Sequence, residues 1–66
     1  MSEQFTRNFK KQATKHTLKG PRQSVIYSMQ MFYSLGYAEI AEWTPLEPTE
    51  VPGEVITTMT KYWLLP

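Results

Sequence analysis

The clearest pattern of hydrophobic and polar positions lies between residues 21 and 35. Apolar side chains recur there at helical spacing and fill about half of a helix circumference. They are Val25, Ile26, Met29, Phe32, Tyr33 and Leu35. Pro21 suits the first turn, because its missing N–H has no intrahelical partner there. Gly36 suits the position just past the end, where a left-handed conformation favours glycine. The pattern predicts a core helix over residues 21–35.

A narrower apolar stripe predicts a second, amphipathic helix over residues 3–16. Plotted at about 100° per residue, four side chains fall within roughly 80° of each other. They are Phe5, Phe9, Ala13 and His16. A strand would place the first three on the same face as Arg7, Lys11 and Lys15, which mixes apolar groups with charge. We therefore expect a helix here, although its stripe is narrow and the segment could fray when free in solution.

After Gly36 the pattern becomes strand-like. YAEIAEW, residues 37–43, alternates imperfectly and predicts a short strand, and the prolines that follow exclude a helix. Residues 51–54 match a type II turn, with proline second and glycine third. EVITTMTKYWLL, residues 54–65, is the best strand candidate because it is rich in β-branched and aromatic residues. This strand should pair with residues 37–43, or with residues 46–51 through the turn. In the second case, Pro48 confines the strand 46–51 to an edge of the sheet.

These elements predict an α+β fold: an amphipathic N-terminal helix, a central core helix, and a C-terminal antiparallel β-hairpin or small three-stranded sheet. The 66 residues make one small domain, with a basic segment over 1–20 and the core over 21–66. A chain of this size buries only about 60% of the surface that its unfolded form exposes. It has no cysteine, so disulfides and thiolate metal sites are excluded. Since no signal peptide or membrane-spanning stretch is evident, we expect a soluble cytoplasmic protein.

A net charge of only +1 hides a strong asymmetry. Six of the seven basic residues lie within residues 7–22: Arg7, Lys10, Lys11, Lys15, Lys19 and Arg22. Five of the six acids lie within residues 39–54: Glu39, Glu42, Glu47, Glu50 and Glu54. Such a split indicates a polyanionic partner for one half, or attraction between the two halves.

The basic segment carries one of two functional hypotheses, that of a nucleic-acid-binding protein. On the predicted first helix, Arg7, Lys10, Lys11 and Lys15 share the side opposite the phenylalanines, and Lys19 and Arg22 continue the series. Such a face could follow a phosphate backbone. No aromatic residue lies within it, so stacking on bases is not indicated. A winged helix-turn-helix is disfavoured, because the polar side of helix 21–35 is poor in side chains that read a major groove.

The stretch TLKGPRQS, residues 17–24, allows two interpretations. Lys19, Arg22 and the N–H groups at the start of the second helix could bind an anion such as phosphate. Alternatively, Gly20 and Pro21 simply turn the chain and begin the helix. A single glycine does not make a phosphate-cradling loop, so the second interpretation is favoured.

Aromatic residues carry the other hypothesis, a non-enzymatic protein-interaction module acting as an adaptor, subunit or inhibitor. The predicted contact residues are Trp43, Tyr62, Trp63 and Leu65 near the strand ends, with Tyr27 and Met31 on the polar side of the core helix. One helix cannot cover both faces of a small sheet, and exposed tryptophan and tyrosine are typical of protein interfaces. The acidic segment 39–54 would add to this contact. An open sheet also permits self-association.

Nothing in the sequence indicates catalysis. Ser24, Ser28 and Ser34 have no base placed near them by a motif. The single histidine, His16, excludes a cluster of imidazole ligands and is expected on the apolar side of the first helix. We therefore expect no enzyme activity, no metal, no cofactor and no small-molecule substrate. Binding to a protein partner is the first hypothesis, and binding to nucleic acid is the alternative.

Overall fold

The structure, a computed structural model, describes residues 9–66 and confirms an α+β fold. Its elements are strand β1 (Lys10–Pro21), helix α1 (Arg22–Ser34), a 3-10 turn (Ile40–Glu42), strand β2 (Glu47–Pro48) and strand β3 (Glu54–Leu65). The three strands form an antiparallel sheet in the order β1-β3-β2. The central strand is therefore the last in the sequence.

A long two-stranded ribbon of β1 and β3 dominates the shape. Twelve residue pairs join the strands, from Lys10 opposite Leu65 to Pro21 opposite Glu54. The described chain measures 54 × 25 × 15 Å because the ribbon continues past the packed part. At that end Lys10–Ala13 and Tyr62–Leu65 are all exposed, and we call these eight residues the arm. The arm is held by cross-strand pairing and by the contact of Trp63 with Tyr37.

The predicted N-terminal helix is wrong where the structure describes it, because residues 10–16 belong to β1. Phe5 and Arg7 lie outside the described residues. Alternation in β1 does place Ala13 on the same face as Lys11 and Lys15, the mixture that argued against a strand. The mixture is tolerated because no described element covers that face. Pairing with β3, whose residues lie 43 to 55 positions further along the chain from residues 10–16, outweighs the local helical periodicity.

Helix α1 confirms the predicted core helix to within one residue at each end. It lies on one face of the sheet, where the buried core consists of Val25, Met29, Ala38, Trp43 and Met59. Leu18, Phe32, Tyr37, Leu46 and Val55 are partly buried around it. Tyr33 and Leu35, predicted to lie in the core, are exposed. The sheet covers only part of the apolar half of the helix, so the outer members of the stripe reach solvent.

Gly36 ends the helix as predicted. Its φ is +72°, in the left-handed region that favours glycine. The N–H of Gly36 donates to the Tyr33 carbonyl, and the N–H of Tyr37 donates to the Phe32 carbonyl, both at 2.9 Å. This pair of bonds is a Schellman motif, which satisfies two carbonyls at the end of the helix. It also turns the chain so that Tyr37 returns towards the sheet.

The predicted strand over residues 37–43 is wrong, since the chain forms a turn and a short 3-10 helix there. A capping box stabilises this 3-10 helix, because the Glu42 carboxylate accepts the Glu39 N–H at 2.7 Å. The type II turn is confirmed, because the Glu54 N–H donates to the Val51 carbonyl and Gly53 has a φ of +79°. Strand 54–65 is also confirmed. Of the two partners predicted for the hairpin, the structure has the second, residues 46–51. Within that segment, Glu47–Pro48 forms a two-residue edge strand.

Three threonines fix the connecting segment to the outer edge of β3. The Thr44 N–H donates to the Thr58 carbonyl at 2.9 Å, and the Thr58 N–H donates to the Thr44 hydroxyl at 3.1 Å. The Thr57 hydroxyl, on a residue only 1% exposed, donates to the Thr44 carbonyl at 2.6 Å. The contact ends at Thr58. From Thr60 onward, no described residue lies in a ladder on that side of β3.

Candidate interaction surfaces

Alternation divides the ribbon into a covered face and an uncovered one. His16, Leu18, Thr57 and Met59 point towards α1 and are buried or half-buried. The side chains between them point the other way, where no described helix or loop packs over the ribbon. This open face consists of Lys11, Ala13, Lys15, Thr17 and Lys19 from β1, and Ile56, Thr58, Thr60, Tyr62 and Leu64 from β3. Only Ile56 and Thr58, beside the connecting segment, are half-buried.

The basic residues predicted to act together are split by the strand. Lys11, Lys15 and Lys19 share the open face, and each lies about 13 Å from the next along β1. Lys10 points to the opposite face, Arg22 begins α1, and Arg7 lies outside the described residues. Within residues 9–66, none of the basic side chains between Lys10 and Arg22 forms an ion pair. The Lys11 ammonium lies 4.6 Å from the centre of the Tyr62 ring, so the structure brings an aromatic residue into the basic face.

The stretch TLKGPRQS is a junction between β1 and α1. Gly20 remains in the strand, and Pro21 takes the N-cap position with φ −55° and ψ 142° and no side-chain hydrogen bond. Lys19 lines a shallow groove that it shares with the carboxylates of Glu50 and Glu54. Arg22 lines a different groove, with Gln23, Ile26, Tyr27 and Gln30 of α1. The two cations therefore do not converge on one anion site.

The end of β3 is the most exposed apolar stretch of the described chain. Tyr62 is 60% exposed and Leu64 61%, both on the open face, while Trp63 and Leu65 are each 43% exposed on the other. Trp43, predicted to belong to the same contact surface, is instead core, 6% exposed with its ring 5.8 Å from Phe32. Tyr27 and Met31 are exposed on α1. Alternation along the predicted strand already sends Leu64 to the same face as Tyr62.

The backbone of β3 adds a second feature, an open edge. The N–H and C=O of Thr58 point away from β1, towards Thr44. Because successive residues of a strand alternate in direction, those of Thr60, Tyr62 and Leu64 point the same way. Within residues 9–66 these six groups have no ladder partner. We call this stretch, Thr60–Leu64, the open edge. No sequence signal could have found it, because it depends on where the connecting segment leaves the sheet.

Beside the open edge, on the covered face, Lys61 joins several elements. Its ammonium lies 3.0 Å from the Glu42 carboxylate and 5.2 Å from the centre of the Tyr37 ring. The Glu39 N–H, and then Lys61, hold the pKa of the Glu42 carboxyl below its usual range. The Tyr37 hydroxyl lies 2.8 Å from His16 Nε2, while His16 Nδ1 lies 3.3 Å from the Thr14 carbonyl. A carbonyl only accepts, so Nδ1 carries the proton of the neutral ring and Tyr37 donates to Nε2.

Other polar side chains of the described chain serve local structure. Ser28 and Ser34 donate their hydroxyls to the carbonyls four residues earlier, those of Ser24 and Gln30. Residues 9–66 bring no three metal-binding side chains together. Within the same range, no helix has the length and apolar character needed to cross a membrane. What the described surface offers is an apolar strand end, an open backbone edge and a basic strand face.

Comparisons with protein-family models, with curated proteins and with solved structures find no match to this chain. No residue role is therefore carried over from a relative.

Proposed function

We propose that this protein is a small interaction module that binds another protein chain through the end of β3. The observation that carries the proposal is the coincidence of two features on Tyr62–Leu65. These four residues are 43–61% exposed, and the backbone beside them presents donors and acceptors without a ladder partner in the described chain. An exposed apolar strand next to an open edge is the combination that added strands recognise.

Each feature alone has a common structural explanation. Scattered apolar residues are normal on small proteins, and every open sheet has edges. Proteins usually protect such an edge with charged side chains, a proline or a covering loop. β1 carries four lysines among its twelve residues, whereas Tyr62–Leu65 carries neither a charge nor a proline. The unprotected end of β3 is therefore the part of the sheet best suited to binding a partner.

The side chains suit this role. Tryptophan and tyrosine are enriched among the residues that dominate binding free energies. Trp63 has one side against Tyr37, with ring centres 6.5 Å apart, and remains 43% exposed. It is thus partly preorganised, which lowers the entropy cost of fixing it in a complex.

A site-specific cross-linking experiment tests the proposal. A photo-reactive amino acid is placed at Leu64 in the arm and, as the matched control, at Leu35 at the end of α1. Both positions are highly exposed, 61% and 74%. In cells that make the protein, we expect a discrete adduct with a protein chain from position 64 and none from position 35. Equal labelling from both positions, or labelling from position 35 alone, would show that the arm is not the contact.

Nucleic-acid binding is the second candidate. The observation that favours it is the set of side chains on the open face, which takes the place of the basic helix face predicted from the sequence. Lys11, Lys15 and Lys19 share the open face with Tyr62 and with the hydroxyls of Thr17 and Thr60. Three phosphate contacts would give a salt slope of about −3 on duplex DNA. Tyr62 offers a ring on which an unpaired base could stack.

Fluorescence anisotropy with labelled single- and double-stranded oligonucleotides at several salt concentrations tests this candidate. The double variant Lys11→Gln/Lys15→Gln should flatten the slope by about 2. Lys10→Gln is the matched control, since Lys10 points to the other face, and should leave the open face intact. Absence of binding at low salt, or equal effects of both variants, would argue against the open face as a nucleic-acid site.

A further inference from the structure

We propose that the strand added to the open edge is β3 of a second copy, paired antiparallel about a two-fold axis at Tyr62. This inference rests on the proposed function, because it names the partner for the same site. It predicts a homodimer with a continuous sheet in the order β1-β3-β3-β1 across the axis.

Backbone geometry favours this register, because it uses every outward-pointing group of the open edge. Only Thr60, Tyr62 and Leu64 combine outward-pointing groups with the absence of a described ladder partner. With the axis at Tyr62, Thr60 faces Leu64 of the other copy, and Tyr62 faces its own equivalent. These are three hydrogen-bonded pairs in which each residue exchanges both bonds. The open edge is thus complementary to itself, as a two-fold interface requires.

Other registers are worse for identifiable reasons. An axis at Lys61 would place Leu64 opposite Thr58, whose groups are taken by Thr44, and would bring the two Lys61 side chains face to face. An axis at Trp63 would place Thr60 opposite Pro66, which has no N–H to donate. An axis at Thr60 would oppose Tyr62 to Thr58, whose groups are taken by Thr44. An axis at Leu64 would leave the groups of Thr60 without a partner from β3.

Side chains agree with the same register. On the covered face, Lys61 of each copy falls opposite Trp63 of the other. Lys61 already lies 5.2 Å from the centre of an aromatic ring, that of Tyr37, so a second ring across the axis suits its charge. Like charges do not meet, since neither lysine faces its equivalent. On the open face the two Tyr62 rings are neighbours, and Leu64 lies beside Thr60. Pairing of two β1 edges would instead gather lysines from both copies, which is unfavourable.

The test uses a pair of variants that remove the same indole and add opposite charges. Trp63→Lys places one lysine opposite Lys61 in each half of the interface, whereas Trp63→Glu places a carboxylate there. Sedimentation velocity of the full chain over a wide concentration range should show a monomer–dimer equilibrium for the natural sequence. We expect Trp63→Lys to abolish the dimer and Trp63→Glu to retain it. Equal loss in both variants would overturn the register, because burial of Trp63 alone would then explain association.

Tyr62→Pro tests the backbone pairing independently. The Tyr62 N–H points away from β1, so proline removes only the outward donor and leaves the ladder with β1 intact. Two of the six intermolecular hydrogen bonds disappear, which should weaken the dimer roughly 5- to 150-fold. Tyr62→Ala, which keeps the donor, is its control, and far-UV circular dichroism checks that every variant is folded. An unchanged dimer in Tyr62→Pro would rule out edge pairing.

Failure of this inference can be told apart from failure of the proposed function. If the natural sequence remains monomeric at every concentration while Leu64 cross-links to a different protein, the second copy is wrong and the binding site stands. If Leu64 cross-links to no protein and the chain remains monomeric, both are wrong.

Discussion

Thr57 offers the sharpest test of how the connecting segment is attached to the sheet. Its hydroxyl donates to the Thr44 carbonyl at 2.6 Å and lies 3.1 Å from the Thr44 hydroxyl. The Thr44 hydroxyl in turn accepts the N–H of Thr58 at 3.1 Å. Each hydroxyl therefore donates once and accepts once. Thr57→Val keeps the branched shape and removes both roles of the Thr57 hydroxyl.

The expected cost follows from the burial of these groups. Thr57 is 1% exposed, so valine fits without new exposure of apolar surface. Leaving a buried polar group without its partner costs about 1–3 kcal/mol. Thr44 is exposed and can turn partly to water, which favours the lower part of that range. We expect a loss of about 1–2 kcal/mol in the free energy of unfolding. For a domain of this size that lowers Tm by roughly 4–16 °C.

Urea unfolding followed by tryptophan fluorescence measures this loss, because Trp43 lies in the core next to the connecting segment. The midpoint should fall at unchanged slope, since the surface exposed on unfolding is the same. Thr60→Val, at an exposed threonine three residues further along the same strand, should change stability by less than about 0.5 kcal/mol. Equal stability of Thr57→Val and the natural sequence would refute the hydrogen-bonded attachment of Thr44 to Thr57.

Three further predictions test the core, the helix end and the carboxylate beside Lys61. Met59→Ala, at a residue 2% exposed, should cost about 2–5 kcal/mol in urea unfolding, and a loss below 1 kcal/mol would place Met59 outside the core. Gly36→Ala should cost about 1–2 kcal/mol because its φ is +72°, with Gly36→Asn less harmful; similar losses in both would point to another cause. The lowered pKa of Glu42 contributes stability that is present above the usual glutamate pKa and disappears as pH falls through the folded value. Glu42→Gln should therefore reduce the loss of stability on acidification, as measured by Tm against pH, and parallel curves would contradict the assignment.

Local chemistry in the sequence determined α1, its Gly36 end, the type II turn and strand β3. Each depends on a few neighbouring residues: proline and glycine restrict φ, and β-branched residues favour an extended chain. The exposed apolar end of β3 and the charge of β1 can also be read from single positions. The sequence accordingly predicts Tyr62, Trp63 and Leu65 as contact residues, and all three are exposed.

Only the tertiary structure decided that residues 10–21 form a strand, that Trp43 is core, and that Lys10 faces away from Lys11. Strand β1 is stabilised by twelve pairs with β3, and such long-range pairing has no periodic signature at the N-terminal segment itself. Trp43 is buried because the three threonines and the capping box hold the connecting segment against the edge of β3, beside the core. The open edge exists because that segment leaves β3 at Thr58. A local pattern determines what an element can be, whereas burial and edges depend on which other segments reach it.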